Sequence, residues 1–441
     1  ALTVEWDVDG DGTIDQTGET ITHTYETAGV YDARLVVTDP HGKTGTAIQP
    51  ITVGNTRPVV TVDTPADGAF FDFGTEVSWA ITATDVEDDP VDPNEVIVQP
   101  ALGHDYHAHP TTEFTGLTGS VQTSLGGHAP DENIFFVLDA RYSDHGGDGV
   151  QSLTGSDTVL VYPRLREAEF RQSDEGMTVV AARDVAGHGD ALSGEDGAWF
   201  AYDRMSLAGI DELIVRAASA GGGTIELRAD SPDGALIGSA EVPAGGLSRF
   251  VDVHVPVGPT DPGGSFALYV VMPGDGTRQV NFIEAVGQGV SGTTVPAVTI
   301  TSPEPYAVVD EVGDIQLTAD ATDADNGIAS VEFLVDGVSV GSDDTAPYEI
   351  TWTPATEDRY LLEAVATNPD GVSTTSRAIQ VDVGDLLAGW ETFSHEAASA
   401  NFDRPDADTW TIDSGGANTW QGTDEYGAVY QPAAAQWTQW T

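Results

Sequence analysis

Leu213-Ile214-Val215-Arg216-Ala217-Ala218-Ser219, then Gly221-Gly222-Gly223, then Thr224-Ile225-Glu226-Leu227-Arg228 is the stretch that decides the fold. Ile214-Val215-Arg216 and Thr224-Ile225-Glu226-Leu227-Arg228 alternate apolar and polar residues, the period of a half-buried strand. The three glycines between them mark a turn. The same texture extends outward. Glu167-Ala168-Glu169 opens the surrounding segment, Gly197-Ala198-Trp199-Phe200-Ala201-Tyr202 lies inside it, and Val280-Asn281-Phe282-Ile283-Glu284 closes it. Helix-period patterns are nearly absent from the chain, and short Val/Thr/Ile runs separated by Gly and Pro recur throughout. The expected fold class is all-β, a linear array of domains, which the resemblances given below imply to be immunoglobulin-like and jelly-roll β-sandwich domains.

Length and composition set the frame. At 441 residues the chain exceeds what one core supports, so several domains are expected. With Cys 0, no disulfide staples them. Asp+Glu 72 against Lys+Arg 16 gives a net charge of -56, and Lys43 is the sole lysine. Such a chain repels itself unless dissolved ions screen it, and at 1 M salt the Debye length is only about 3 Å. The balance suits a protein of very saline surroundings, or a calcium-saturated extracellular one. It excludes nucleic acid as a partner, because no basic patch exists. No run of 18 apolar residues is present, so no membrane-spanning helix is expected.

The segment 164–290, bounded by the motifs above, resembles a family 6 carbohydrate-binding module, a jelly roll. The resemblance implies a structural calcium held by Glu167, Glu169 and Asn281, and hard oxygen donors of these types suit that ion. Without the resemblance, Glu167 and Glu169 read equally as solvated acids at a strand edge. It also implies a sugar cleft in which two aromatics clamp a ring beside an amide. Here Leu192 and Leu247 fall where those aromatics are expected, and Gln279 stands where an Asn is expected. Phe250, Gln279 and Trp199 are therefore the candidate sugar contacts, although the resemblance gives Trp199 and Tyr202 mainly a packing role. Aromatic faces bury the apolar side of a sugar while its hydroxyls bond at the rim.

The flanking segments read as follows. Residues 1–54 contain Trp6-Asp7, Thr24-Tyr25, Gly29-Val30-Tyr31 and Val37-Thr38-Asp39, and resemble a PKD domain, an immunoglobulin-type sandwich, here expected to lack its first strand. Asp7, Asp9, Asp11 and Asp15 have calcium-loop spacing, with Gly12 permitting a sharp turn; the same residues also make an acidic, solvated turn. Residues 59–163 read as a second sandwich, resembling a spacer module found beside PKD and sugar-binding modules. Five of the ten histidines fall between His104 and His145. His104, His109 and His128, with Asp105 as ligand or supporting group, are candidates for a transition-metal site. A hydrogen-bonded polar loop is the competing reading. Residues 297–384, with Val298-Thr299-Ile300 and Val331-Glu332-Phe333-Leu334-Val335-Asp336-Gly337, resemble a bacterial immunoglobulin-like domain. Residues 386–441 hold five of the nine tryptophans and resemble the start of a concanavalin-like lectin sandwich, too short to close.

Together these readings lead to a non-catalytic carbohydrate-binding and spacer region of a secreted or cell-surface protein. Calcium stabilises it, high salt suits it, and its partner is a polysaccharide or surface glycan. Incomplete terminal domains would permit self-association by strand donation. Two alternatives stand beside it: a structural stalk, adhesin or filament subunit, and a metal-dependent enzyme on the loop 104–128. No nucleophile elbow, phosphate loop or supported carboxylate pair is seen, so no catalytic residue is named.

Overall fold

The computed structural model describes residues 1–129, 132–147, 150–187, 189–257, 261–292, 294–384 and 386, together with the backbone of the strands Glu391–His395, Ser399–Asp406, Thr409–Gly415 and Tyr426–Tyr430. Trp390, Trp420, Trp437 and Trp440 lie outside the described residues. The chain is all-β: among the described residues, the only helical elements are the 3-10 turns Pro93–Glu95 and Ala168–Phe170. Among the described residues, no helix is long and apolar enough to cross a membrane. Residues 1–66, 78–121 and 136–160 form one compact unit, and residues 67–77, 122–135 and 161–441 a second.

In the first unit, an antiparallel sheet runs in the order Gln16–Thr17, Thr3–Asp7, Gly29–Thr38, Thr44–Val53. The same unit holds the hairpin of Ile97–His104 and His107–Pro110, joined by Asp105 and Tyr106. Its register sets His104 opposite His107 and Leu102 opposite His109.

In the second unit, residues 165–287 form two antiparallel sheets. The first has the order Thr178–Ala181, Asp190–Gly194, Arg278–Gly287, Ile210–Ser219, Gly246–Pro256, with Leu165–Glu167 also paired to Arg278–Gly287. The second has the order Ser173–Glu175, Ala198–Met205, Phe266–Met272, Gly223–Ala229, Leu236–Val242. Strands alternate because successive side chains point to opposite faces. Val253, Val255, Leu213 and Val215 of the first sheet are buried, as are Phe200, Val270, Ile225 and Leu227 of the second. Packing these inner faces together removes two apolar surfaces from water, at roughly 25 cal/mol per Å².

Residues 297–383 make another sandwich. A three-stranded sheet of Ala297–Ser302, Ile315–Thr322 and Tyr348–Trp352 faces a six-stranded one that includes Ser330–Val335, Asp358–Thr367 and Ile379–Val383. Ile300, Leu317, Phe333, Leu362 and Val381, drawn from both sheets, meet in its core.

Candidate functional site

The two sheets of the central module differ in what their outward faces carry. On the strand Gly246–Pro256, alternation sends Val253 and Val255 inward and Phe250, Asp252 and His254 outward. Phe250 is nevertheless 0% exposed, packed with Ala191 and Ala218. Val180 and Ala182 of the same module complete that packing, and the immunoglobulin-like module that follows touches the same strand. The Tyr306 hydroxyl donates to the Phe250 carbonyl oxygen at 3.2 Å, and the Arg249 guanidinium lies 5.5 Å from the Tyr306 ring centroid. Arg377 pairs with Asp252 and Glu284 and sits 5.0 Å from the Phe282 ring centroid. Beneath them, Arg216 donates to both Asp184 carboxylate oxygens, at 2.9 and 2.7 Å. Burial pushes the Asp184 carboxyl up, but the Arg216 and Asn281 hydrogen bonds outweigh this and hold it below its ordinary value. Phe250, expected as a sugar contact, is thus enclosed side-chain packing. Leu192 is likewise buried, and Gln279 pairs in register with Ser193 and Ala218.

The second sheet is different. Register places Trp199 opposite Val271 and Glu175, Ala201 opposite Tyr269, and Tyr269 opposite Arg228. Residues directly opposite share a face. Trp199 and Tyr269 therefore stand side by side on the outer face, both half-buried, with ring centroids 5.0 Å apart and planes inclined at 51°. Glu226 and Arg228 flank them, joined by an Arg228 Nε to Glu226 Oε2 hydrogen bond of 2.8 Å. Glu175 lies exposed on the other side. An inclined aromatic pair edged by charged hydrogen-bonding groups can stack an apolar ring face and satisfy its hydroxyls. Tyr202, three residues beyond Trp199 on the same strand and so on the opposite face, is instead fully buried, its hydroxyl donating to the Glu167 carbonyl at 2.8 Å.

That hydroxyl leads to the oxygen cluster. Glu167 ends its strand opposite Phe282 and is 3% exposed. Glu169 follows in the 3-10 turn; its Oε1 accepts from Asp190 N at 3.2 Å, whereas its Oε2 is buried with no hydrogen-bond partner. Asn281 is 0% exposed, its Nδ2 donating to Asp184 Oδ2 at 3.1 Å while its Oδ1 is likewise buried and unpaired. The loop after Asp184 closes over these groups. A Cβ at Gly187 would lie 1.8 Å from Asn281 Nδ2, and one at Gly189, where φ is +69°, 2.1 Å from Glu169 Oε1. Burial pushes the Glu169 carboxyl up, against the pull of its backbone hydrogen bonds. Buried oxygen acceptors left without donors cost free energy unless a cation takes them, and this donor set fits a hard divalent ion.

Elsewhere, Asp7, Asp9 and Asp15 bring carboxylate oxygens within 4.8 Å of one another. Asp11 does not belong to that group; its Oδ1 accepts from Thr13 N at 2.6 Å. Asp7 is 2% exposed and accepts from Gly10 N at 2.9 Å and Gly12 N at 3.0 Å. The histidines also regroup. His104 and His109 come together with His107, which the spacing argument leaves out, while His128 Nδ1 bonds Glu132 Oε2. Asp105 lies 3.6 Å from His104 Nδ1.

The class these features define is an all-β chain of successive sandwich modules, the central one presenting an aromatic pair on an outer face. Family models identify the modules: residues 1–53 match the PKD domain, residues 167–285 the carbohydrate binding module of family 6, and residues 296–381 a bacterial Ig domain. The chain is a multidomain protein carrying these binding and immunoglobulin-like modules. No curated protein matches it. Among solved structures, it is similar to a family 6 carbohydrate-binding module from Clostridium cellulolyticum in complex with xylose, at 26% identity over 28% of this chain and 95% of that chain, TM-score 0.26. A β-1,3-glucan binding module of the same family from Bacillus halodurans is 29% identical over 27% of this chain and 93% of that chain, TM-score 0.25. The fibronectin(III)-like modules of Clostridium thermocellum CbhA are 33% identical over 20% of this chain and 96% of that chain, TM-score 0.19.

Proposed function

We propose that this chain is the non-catalytic, glycan-holding and spacer region of an extracellular or cell-surface protein, and that Trp199 and Tyr269 form its sugar platform. The half-buried aromatic pair on the outer face of the second sheet, with part of each ring in solvent, carries the reading. The match of residues 167–285 to a carbohydrate binding module supports the ligand class. A polysaccharide strand would lie over the two rings, with Glu175, Glu226 and Arg228 bonding its hydroxyls. Calcium would sit at Glu167, Glu169 and Asn281, where buried Glu169 and Asn281 oxygens have no donor, and would fix the loop that begins at Asp184. The Asp7, Asp9 and Asp15 carboxylates are a second, more exposed place for the same ion. A net charge of -56 fits work in concentrated salt, where self-repulsion is screened.

Retention on affinity gels of insoluble plant, algal and cell-wall polysaccharides, in molar NaCl with calcium, tests this. Retention by at least one polysaccharide, lost in Trp199→Ala, is expected. Passage of the folded parent through every gel would overturn it.

A further inference from the structure

Three imidazoles in the first unit stand apart from sugar and calcium alike. Residues paired across an antiparallel hairpin share a face, as do residues two apart on one strand. The register of Ile97–His104 with His107–Pro110 therefore sends His104, His107 and His109 to one side. His104 Nε2 and His109 Nε2 are 3.1 Å apart, and one ring nitrogen from each of the three histidines falls within 4.8 Å of the others. Ring centroids are separated by 4.0 Å for His104–His107, 5.2 Å for His104–His109 and 4.9 Å for His107–His109.

We propose that the His104, His107 and His109 imidazoles bind one transition-metal ion of zinc type, with a fourth position left to water. Two nitrogens bound tetrahedrally at zinc distances of about 2.0–2.1 Å lie about 3.3–3.4 Å apart, close to the spacing already held by the His104 and His109 rings. Asp105 completes the arrangement. It occupies the hairpin turn at φ +50° with its carboxylate 3.6 Å from His104 Nδ1, the ring nitrogen that does not face His109. At that ion-pair distance the carboxylate stands where supporting groups stand behind the ligands of metal sites. Nitrogen donors select zinc, copper, cobalt or nickel over calcium, which prefers oxygen, so this site and the oxygen cluster divide the two kinds of ion between them. His107 and His109 are exposed, which gives an ion free entry and leaves the open position accessible to solvent.

The test uses the full chain, stripped with chelator and then held in excess calcium and molar NaCl so that carboxylates are occupied or screened. Cobalt(II) is titrated in and its visible absorption read, then zinc is added. One equivalent with a tetrahedral spectrum, displaced by zinc and released on acidification, is expected. His104→Ala, His107→Ala and His109→Ala should each weaken it at least tenfold, and His128→Ala should leave it unchanged. Thermal unfolding checks that each variant folds; the milder His107→Gln/His109→Gln pair replaces any that does not. A parent with no tetrahedral cobalt spectrum, or a spectrum that persists when all three histidines are replaced, would overturn the proposal.

Discussion

The central module has one covered face and one open face, and each carries aromatics. On the covered face, Phe250 is enclosed by Ala191, Ala218, Val180 and Ala182, and Phe282 lies under Arg377 of the next module. On the open face, Trp199 and Tyr269 keep part of their rings in solvent. The contrast teaches that an aromatic's role is set by what lands on its face as much as by its position in a fold. A ring enclosed by its neighbours contributes packing, and a ring left partly in solvent is available to a ligand.

Four measurements break or sharpen that contrast. Phe250→Ala should destabilise the chain most, by about 3–5 kcal/mol in denaturant unfolding, because it leaves a cavity under a fixed cover. Its folded fraction should keep the parent's affinity for polysaccharide; a loss would return Phe250 to the binding site. Removing calcium should come next. At calcium levels of about 100 to 1,000 times the dissociation constant, chelation costs about 2.7–4.1 kcal/mol, read as a drop in unfolding temperature. Asn281→Ala should shrink that response to what the Asp7, Asp9 and Asp15 carboxylates contribute, and a chelator effect undiminished in it would move the ion away from Asn281. Trp199→Ala should weaken polysaccharide binding by about 2 kcal/mol, roughly 30-fold, with stability little changed. Tyr306→Phe should be the mildest, removing one hydrogen bond worth about 1 kcal/mol and leaving sugar binding untouched. If Tyr306→Phe altered binding more than stability, the covered face would be functional after all.

Much of the fold is legible in the sequence because alternation is local. Ile214-Val215-Arg216 and Thr224-Ile225-Glu226-Leu227-Arg228 lie in the strands their pattern announces. Of the expected calcium donors, Glu167, Glu169 and Asn281 are all buried or half-buried in one neighbourhood, since the strand pairing of Glu167 with Phe282 joins the two ends of the module. Phe250 departs from expectation for a physical reason: Ala191, Ala218, Val180 and Ala182, distant in sequence, enclose it, and no local pattern encodes that packing. Tyr269 is invisible to a local reading because its neighbour on the face is Trp199, a partner fixed only by the sheet register. His107, by contrast, is recoverable from the sequence. With two turn residues, Asp105 and Tyr106, the histidine opposite His104 has to be His107, and the hairpin register selects it over His128.

Arg377 has a mechanical consequence. Because it engages Asp252 and Glu284, it pins the immunoglobulin-like module to the central module at points other than the chain connection between them. Lengthening that connection should therefore leave the Arg377 contacts in place, whereas Arg377→Ala should loosen them.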